Sequence, residues 1–593
     1  MSDSLLPYFE QELHFIRSEA QQFAKNHPGA ANSLGLSRDS IVDPQLAWLM
    51  ESVALLNGRL QRRLDSAFPE LSESLLNLLF PHYLRPVPSY SMLDFQVQEK
   101  TNSSHVIPAG TEFDIDDHNG NAAIFRTTDA LSILPLRVID LNVSHAPFAD
   151  GKPQGAERAT VRIEITIGCT DEGADLSTLN IEQLQLHPTG DSNLTLRICD
   201  LLMHASTLVC VSVQGQSHPL SRDHISVPGF DGGATVLPYQ ASSFGGLTLL
   251  TEFFQFPERF KSVSLQLGEW LNKAKGSTFA LHIYIDELAV DLARNLSAEH
   301  FSLFVTPVVN LYRQVADPVR IDFMQNSYPL TFDNVQGSGH SVFSVDHVAD
   351  ISEHPHQTVP QVYAEKYGQQ ETGLRWQLCQ TLRENDEVES HLKVADLAQT
   401  SVDSDPRTWL VDITVTEGEQ AARLSPDSQV SCRDTLTIPA DVGLLRRPTM
   451  PVRQSEKSKH VVALLHHLHF NFHAILGADD PLMALKQMLS LYNLGQCSQN
   501  QLYIDALSAM TTEQVVAPIR VSGRTCFASG TKITVTLDVS HMDGGRVLFS
   551  RFLDRFFSHF AGFNSFTQLD VYLDGEESMY LKFPRRSGCK QVV

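Results

Sequence analysis

The apolar residues of this 593-residue chain change their period near residue 90, and that change restricts the fold more than any other feature. Before it they recur every three or four positions, as Phe9, Leu13, Ile16, Ala20 and Phe23, then as Leu46, Leu49, Val53, Leu56 and Leu60. Stripes of this kind predict two helices, and a third is expected from Pro69 with Leu71, Leu75 and Leu78. The flanking residues agree: Asp3 and Ser4 can cap before Pro7, and Asp43 can cap before Pro44, where a proline's missing N–H is harmless. The stripes can close a hairpin on each other or receive a helix from a partner chain, and both uses stay open.

From Tyr90 onward the period is two. Leu93, Phe95 and Val97 alternate with polar residues, and so do Val161, Ile163, Ile165 and Ile167. The pattern returns at Val263, Leu265 and Leu267, at Trp409, Val411, Ile413 and Val415, and at Ile533, Val535, Leu537 and Val539. Strands with one wet face belong to antiparallel sheets. The expected fold is therefore multidomain, β-rich α+β: an N-terminal helical bundle segment, antiparallel sandwich- or barrel-like modules, and a C-terminal α+β domain. The proposed boundaries are 1–90 (helical), 91–300 and 301–425 (β-rich) and 426–593 (α+β). DIDDHNGN (114–121) reads as a turn between two strands, and 141–158, 351–375 and 398–408 read as loops. Near the end, Leu548, Phe549, Phe552, Leu553, Phe556, Phe557 and Phe560 alternate in pairs with Ser550, Arg551, Asp554, Arg555, Ser558 and His559. That is an amphipathic helix with an aromatic face, and the strand Phe566–Leu573 is the surface for it to cover.

Composition excludes several classes of function. Forty-five basic against sixty-nine acidic residues leave a net charge of −24, which repels nucleic acid and an anionic membrane surface. No secretion signal and no apolar run of spanning length is read, so a cytosolic protein without direct membrane insertion is expected. The eight cysteines are scattered without a C-x-x-C pair, which fits reduced, mostly buried thiols.

No nucleophile elbow, zinc-protease helix, Walker loop or dinucleotide fingerprint is present. Gly530-Thr531-Lys532 enters an alternating strand, not the helix start a phosphate loop requires. DIDDHNGN has Asn119 and Phe125 where a calcium loop needs Gly and Glu. The remaining chemistry is LLHHLHFNFH (464–473). His466, His469 and His473 can share a helix face as zinc ligands, but no carboxylate lies on that face, and Leu464, Leu465, Leu468, Phe470 and Phe472 surround them. Packed histidines are the preferred reading, with a zinc-dependent enzyme as the alternative. No catalytic, cofactor or metal residue is assigned.

Several stretches carry a resemblance. FPELSESLLNLLFPHYLRPVPSYSMLDF (68–95), LPYQASSFGGLTLLTEFFQFPERF (237–260), TPVVNLYRQVADPVRID (306–322), the YPLTF and FSVDHV that follow, and FLDRFFSHFAGFNSFTQL (552–569) together resemble the TssF (VasA, ImpG) family of type VI secretion baseplate subunits. IPAGTEF (107–113) with FRTT (125–128) is also similar to wedge proteins of contractile phage tails, which makes a phage or phage-derived wedge protein the nearest alternative. The resemblance implies a structural, non-enzymatic role without cofactor. It implies a wedge built with TssG, TssE and TssK around the VgrG spike hub, initiating the contractile sheath, with another TssF copy beside it. It also implies a cytoplasmic location at the inner face of the inner membrane, docked through the baseplate. The candidate partner-interface residues are the stripes (Phe9, Leu13, Ile16, Phe23, Leu46, Leu49, Val53, Leu56, Leu60) and the aromatic segment (Tyr239, Phe244, Phe253, Phe254), the latter readable as interface anchor or as core.

Overall fold

The computed structural model describes residues 6–587 apart from 28, 30–43, 66–84, 99–100, 102, 118–119, 149–150, 172, 205–207, 232–234, 240–243, 326, 333–338, 353, 363–372, 383–387, 397–404, 453–479, 522–523, 541 and 563–564. The expected helix from Pro69 lies outside them. The chain divides into two compact units, Met1–Leu84 with Ser455–His469, and Arg85–Gln454 with Phe470–Val593.

In the first unit, α1 (Leu6–Asn26) and α2 (Pro44–Asp65) pack together. As the proline rule requires, α2 starts at Pro44. The two stripes do not meet. α1 turns Phe9, Leu13, Ile16 and Ala20 half-buried towards α2, but α2 answers with small residues. Ala54 is fully buried, and a Cβ on Gly58 would lie 3.0 Å from the backbone nitrogen of Phe9. Two small residues four apart let the backbones approach closely, and that contact sets the rotation of α2 in place of the leucines.

The second unit is built of sheets, all antiparallel in its middle. A six-stranded, nearly closed barrel-like sheet has the order Gln429–Cys432, Glu112–Asp116, Ala122–Thr127, Val305–Val309, Tyr90–Val97, Ala440–Leu444. Its strands come from three distant parts of the sequence. The DIDDHNGN segment closes a hairpin between two of them, Glu112 opposite Arg126 through Asp116 opposite Ala122. A five-stranded sheet is centred on Val161–Cys169 and Thr278–Ile285. Its edge strand Leu136–His145 includes residues 141–145, which the sequence reading assigned to a loop. The strand is mostly exposed on both faces, so it shows no alternation to read. Another five-stranded sheet is centred on Arg407–Thr416, where Trp409, Val411, Ile413 and Val415 are all fully buried as the period of two predicts.

A polar knot joins the barrel-like sheet to this last one. Asn310, fully buried, accepts from the amide of Glu417 (2.8 Å) and from Thr416 Oγ1 (2.8 Å), and donates to Glu417 Oε2 (2.7 Å) and the Ile124 carbonyl (2.9 Å). Glu417 Oε2 also accepts from the Ile124 amide at 3.0 Å. Burial pushes the Glu417 carboxyl up to about 7, against the pull of those donors. A carboxyl that binds its proton more tightly folded than unfolded, where it titrates near ~4.3, makes the fold lose stability as pH rises from about 4 through about 7. Glu417→Gln keeps the acceptor without the charge, so it is expected to raise the melting temperature at pH 8 and to leave it nearly unchanged at pH 5. Equal shifts at both pH values would mean the charge is not what matters.

The C-terminal part is α+β. The hairpin Leu507–Val521/Arg524–Leu537 pairs in parallel, through its second strand, with Ser565–Leu573, and the helix Arg546–Ser558 makes the crossover. That helix covers Ser565–Leu573 as expected. It also packs against the helices Ser192–Met203 and Gly245–Gln255 on other sides, so Ser550, Asp554 and Ser558, expected on a wet face, are buried. Each has a partner: Ser550 donates to the Arg546 carbonyl, Ser558 to the Arg555 carbonyl, and Arg586 to Asp554 at 2.5 Å. The helix starts on a carboxylate from far away. Asp200 accepts from the amides of Gly545 (2.8 Å), Arg546 (3.0 Å), Val547 (2.9 Å) and Leu548 (3.4 Å), a cap supplied by another element instead of the chain just before the helix.

Candidate interaction surface

Because α2 meets α1 through Ala54 and Gly58, its leucine-rich stripe is left facing outwards. Leu49 is 61% exposed, Leu56 62% and Leu60 59%, and Val53 is also exposed. Trp48 and Phe15, which the heptad reading passed over, are exposed as well, and so is Phe23. Leu46 belongs to α2, but its side chain is outside the described residues. Phe9, Leu13 and Ile16 are half-buried in the hairpin itself. The candidate surface is thus narrower on α1 and wider on α2 than the stripes suggest. Burying four aliphatic side chains of this size against a partner contributes roughly 6 to 12 kcal/mol before ordering costs, at about 1.5 to 3 kcal/mol each.

The aromatic segment divides differently. Phe253 and Phe254 are buried, and Phe253 stacks on Phe552 with ring centroids 4.3 Å apart and planes at 12°. Phe260, Phe230, Tyr503 and Phe549 complete the cluster around Phe253. These two residues are core, because the C-terminal helix lies on them. Tyr239 and Phe244 are half-buried, with Phe244 edge-on to Phe560 at 5.0 Å.

Beside this core sit two buried charge clusters. Glu252 pairs with Arg259 in a very short contact, both almost fully buried; Glu252 Oε1 also accepts from the Val236 amide at 2.8 Å, and Asp129 lies 3.8 Å from the guanidinium. Glu258 binds Lys261 at 2.8 Å and Arg446 at 2.7 Å. Burial pushes the Glu258 carboxyl up, but Lys261 and Arg446 pull it down further, and it ends below the ordinary range. Burial lowers His187, which shares a 2.8 Å hydrogen bond with Ser262, to about 4, so it is neutral at physiological pH. These groups tie strands to helices inside the fold.

Among the described residues no three His, Cys, Asp or Glu side chains gather to hold a metal ion. His466, His467, His469 and His473 lie outside the described residues. No described helix is long and apolar enough to cross a membrane. Cys169, Cys199 and Cys210 are buried free thiols, Cys379 and Cys432 half-buried ones, and Cys497 an exposed one.

Comparison with known proteins bears on the whole chain. The model of the family described as "Type VI secretion system, TssF" matches residues 1–590. The type VI secretion system component TssF1 of Pseudomonas aeruginosa is 25% identical over 625 residues, covering all of both chains. A solved type VI TssK-TssF-TssG baseplate subcomplex contains a chain with the same fold: TM-score 0.73, 24% identity, 91% of this chain and 98% of that one. A chain of a type VI baseplate complex aligns with TM-score 0.60 and 20% identity, over 98% of this chain and 100% of that one.

Proposed function

We propose, from the premise that this chain belongs to the type VI secretion system TssF family, that it is a non-catalytic wedge subunit whose N-terminal hairpin docks a partner. As a family member it is a type VI secretion baseplate component. The partners we infer are TssG and TssK, the subunits that accompany TssF in the subcomplex of like fold. TssE, the VgrG hub, the sheath and a second TssF copy follow from the same reading, as does a cytoplasmic site at the inner face of the inner membrane. The observation that carries the docking proposal is the outward stripe Leu49, Val53, Leu56 and Leu60. Apolar surface arranged at heptad spacing on a helix gains only when a second helix covers it.

The test is coexpression with the TssG-like subunit followed by light-scattering mass on a sizing column. A complex of defined mass is expected, and Val53→Asp is expected to abolish it, since a carboxylate in the covered seam is desolvated without a partner. Leu13→Asp serves as the contrast. It strikes the α1 side of the hairpin and should disturb the helices themselves, visible as lost helical circular dichroism. Full recovery of the complex with Val53→Asp would remove the stripe from the interface.

A further inference from the structure

The sheet centred on Arg407–Thr416 is an insertion in the barrel-like one. Its described strands all lie between Tyr312 and Thr416, as do those of a three-stranded sheet, Ser327–Pro329, Val388–Asp396 and Leu374–Leu382. The barrel-like strands lie up to Val309 and again from Gln429 onward. The chain therefore leaves the barrel-like sheet after Val309 and turns back towards it after Thr416. The inserted part has a core of its own, in which Trp409, Val411 and Ile413 pack with Trp376 and Leu392, and Ile124 of the barrel-like sheet lies against it. Phe343 belongs to a different cluster, with Tyr90, Val309 and Leu311.

Asn310 and Glu417 stand at the two crossings, the first just after Val309 and the second just after Thr416. They are bonded to each other twice, through Asn310 Nδ2 to Glu417 Oε2 at 2.7 Å and the Glu417 amide to Asn310 Oδ1 at 2.8 Å. These bonds close the neck of the insertion. The Ile124 amide, on the same carboxyl oxygen at 3.0 Å, fastens the neck to the barrel-like sheet. Asp114, on the strand Glu112–Asp116, adds a like charge, and Arg433, after the strand Gln429–Cys432, an opposite one that Glu112 shares at 3.5 Å. Tyr312 faces the carboxyl from the inserted side with its hydroxyl held protonated by burial, and Glu419 in the following helix is paired with Arg423 at 3.7 Å.

We propose that this neck is a proton-operated hinge: with Glu417 protonated the inserted sheets are held on the barrel-like sheet, and with Glu417 ionised the Asn310–Glu417–Ile124 bonds open and the inserted part pivots about Phe343. A proton on Glu417 removes a buried charge that Arg433 offsets only in part, whereas opening the neck lets water solvate the carboxylate. With the carboxyl at about 7 in the closed neck and near ~4.3 in the open one, the opening constant rises about tenfold from pH 6 to pH 8 and levels off beyond it.

Hydrogen exchange of the full-length chain at pH 6, 7 and 8, corrected for the intrinsic pH dependence of exchange, tests the hinge. Protection of the Ile124 and Glu417 amides is expected to fall about tenfold from pH 6 to pH 8, while Val411 and Ile413, inside the inserted core, keep theirs. Glu417→Gln should abolish the pH dependence. Asp114→Asn should reduce it, because losing the like charge lets Glu417 ionise at lower pH. Circular dichroism checks that both variants fold. Equal protection at pH 6 and pH 8 in the unaltered chain would overturn the hinge, and so would an undiminished pH dependence in Glu417→Gln. A fall shared equally by Val411 and Ile413 would overturn it as well, since the whole unit and not the neck would then be responding to pH.

Discussion

Phe552→Ala is expected to cost the second unit ~3 to 5 kcal/mol, because it empties the position on which the aromatic core is stacked. The Phe552 ring lies 4.3 Å from Phe253, 5.7 Å from Phe556 and 6.0 Å from Phe549, and all four residues are fully buried. They are held by a helix packed from several sides, so the surroundings have little freedom to collapse into the space. At about 2.1 cal/mol/K per residue, a unit of roughly 490 residues loses about 1 °C per kcal/mol, so the melting midpoint should fall by roughly 3 to 5 °C. Phe244→Ala, at a half-buried position of the same cluster, should cost much less. Comparable melting curves for the two variants would mean the cluster is not packed as described.

Glu252→Ala is expected to be as damaging for a different reason. Removing the carboxylate takes from Arg259 its closest counter-charge, leaves Asp129 3.8 Å away, and deprives the Val236 amide of its acceptor. Breaking a buried pair from one side costs ~3 to 5 kcal/mol, since the remaining charge stays desolvated. Glu252→Gln retains an acceptor for Val236 and should lose less. Arg423→Ala is the control for position: Arg423 and its partner Glu419 are 65% and 69% exposed at 3.7 Å, where an ion pair contributes about 1 kcal/mol or less. Urea midpoints that rank Arg423→Ala with Glu252→Ala would contradict this assignment of the buried pair.

The elements that were legible in the sequence are those whose surroundings are simple. Val161–Cys169 and Arg407–Thr416 alternate because one face of each is dry, and Arg546–Ser558 shows its aromatic face because that face meets the core. What could not be read depends on residues far away in the chain. The rotation of α2 is decided by Gly58 against the backbone of Tyr8 and Phe9, with Ala54 buried one turn before it, so a stripe readable as a seam is an outer surface. Ser550, Asp554 and Ser558 read as solvent-facing, but they are buried because their helix is packed from several sides by elements distant in the chain. Phe253 and Phe254 carried no signal separating core from interface, since an aromatic run suits both. Alternation at Ile533–Leu537 marks the inner half of its strand, whereas the outer half pairs with one neighbour instead of two and alternates with Phe527 outward and Ala528 inward, the reverse of what their hydrophobicity suggests.

The make-up of the barrel-like sheet constrains how the chain can be made. Leu93 is paired on one side with Thr306 and on the other with Leu444, so the first strand emerges from the ribosome long before either neighbour exists. At about 5 to 20 residues per second, the roughly 350 residues up to Leu444 take on the order of 20 to 70 s. During that time the strand's apolar residues, Tyr90, Met92, Leu93 and Phe95, all buried in the finished protein, have no sheet to enter. The second unit therefore has high contact order and should fold slowly, only after most of the chain has been synthesised. It offers no cut point between residues 90 and 444 that would leave a self-sufficient barrel, so a truncated chain ending before Ala440 is expected to aggregate when full-length protein stays in solution.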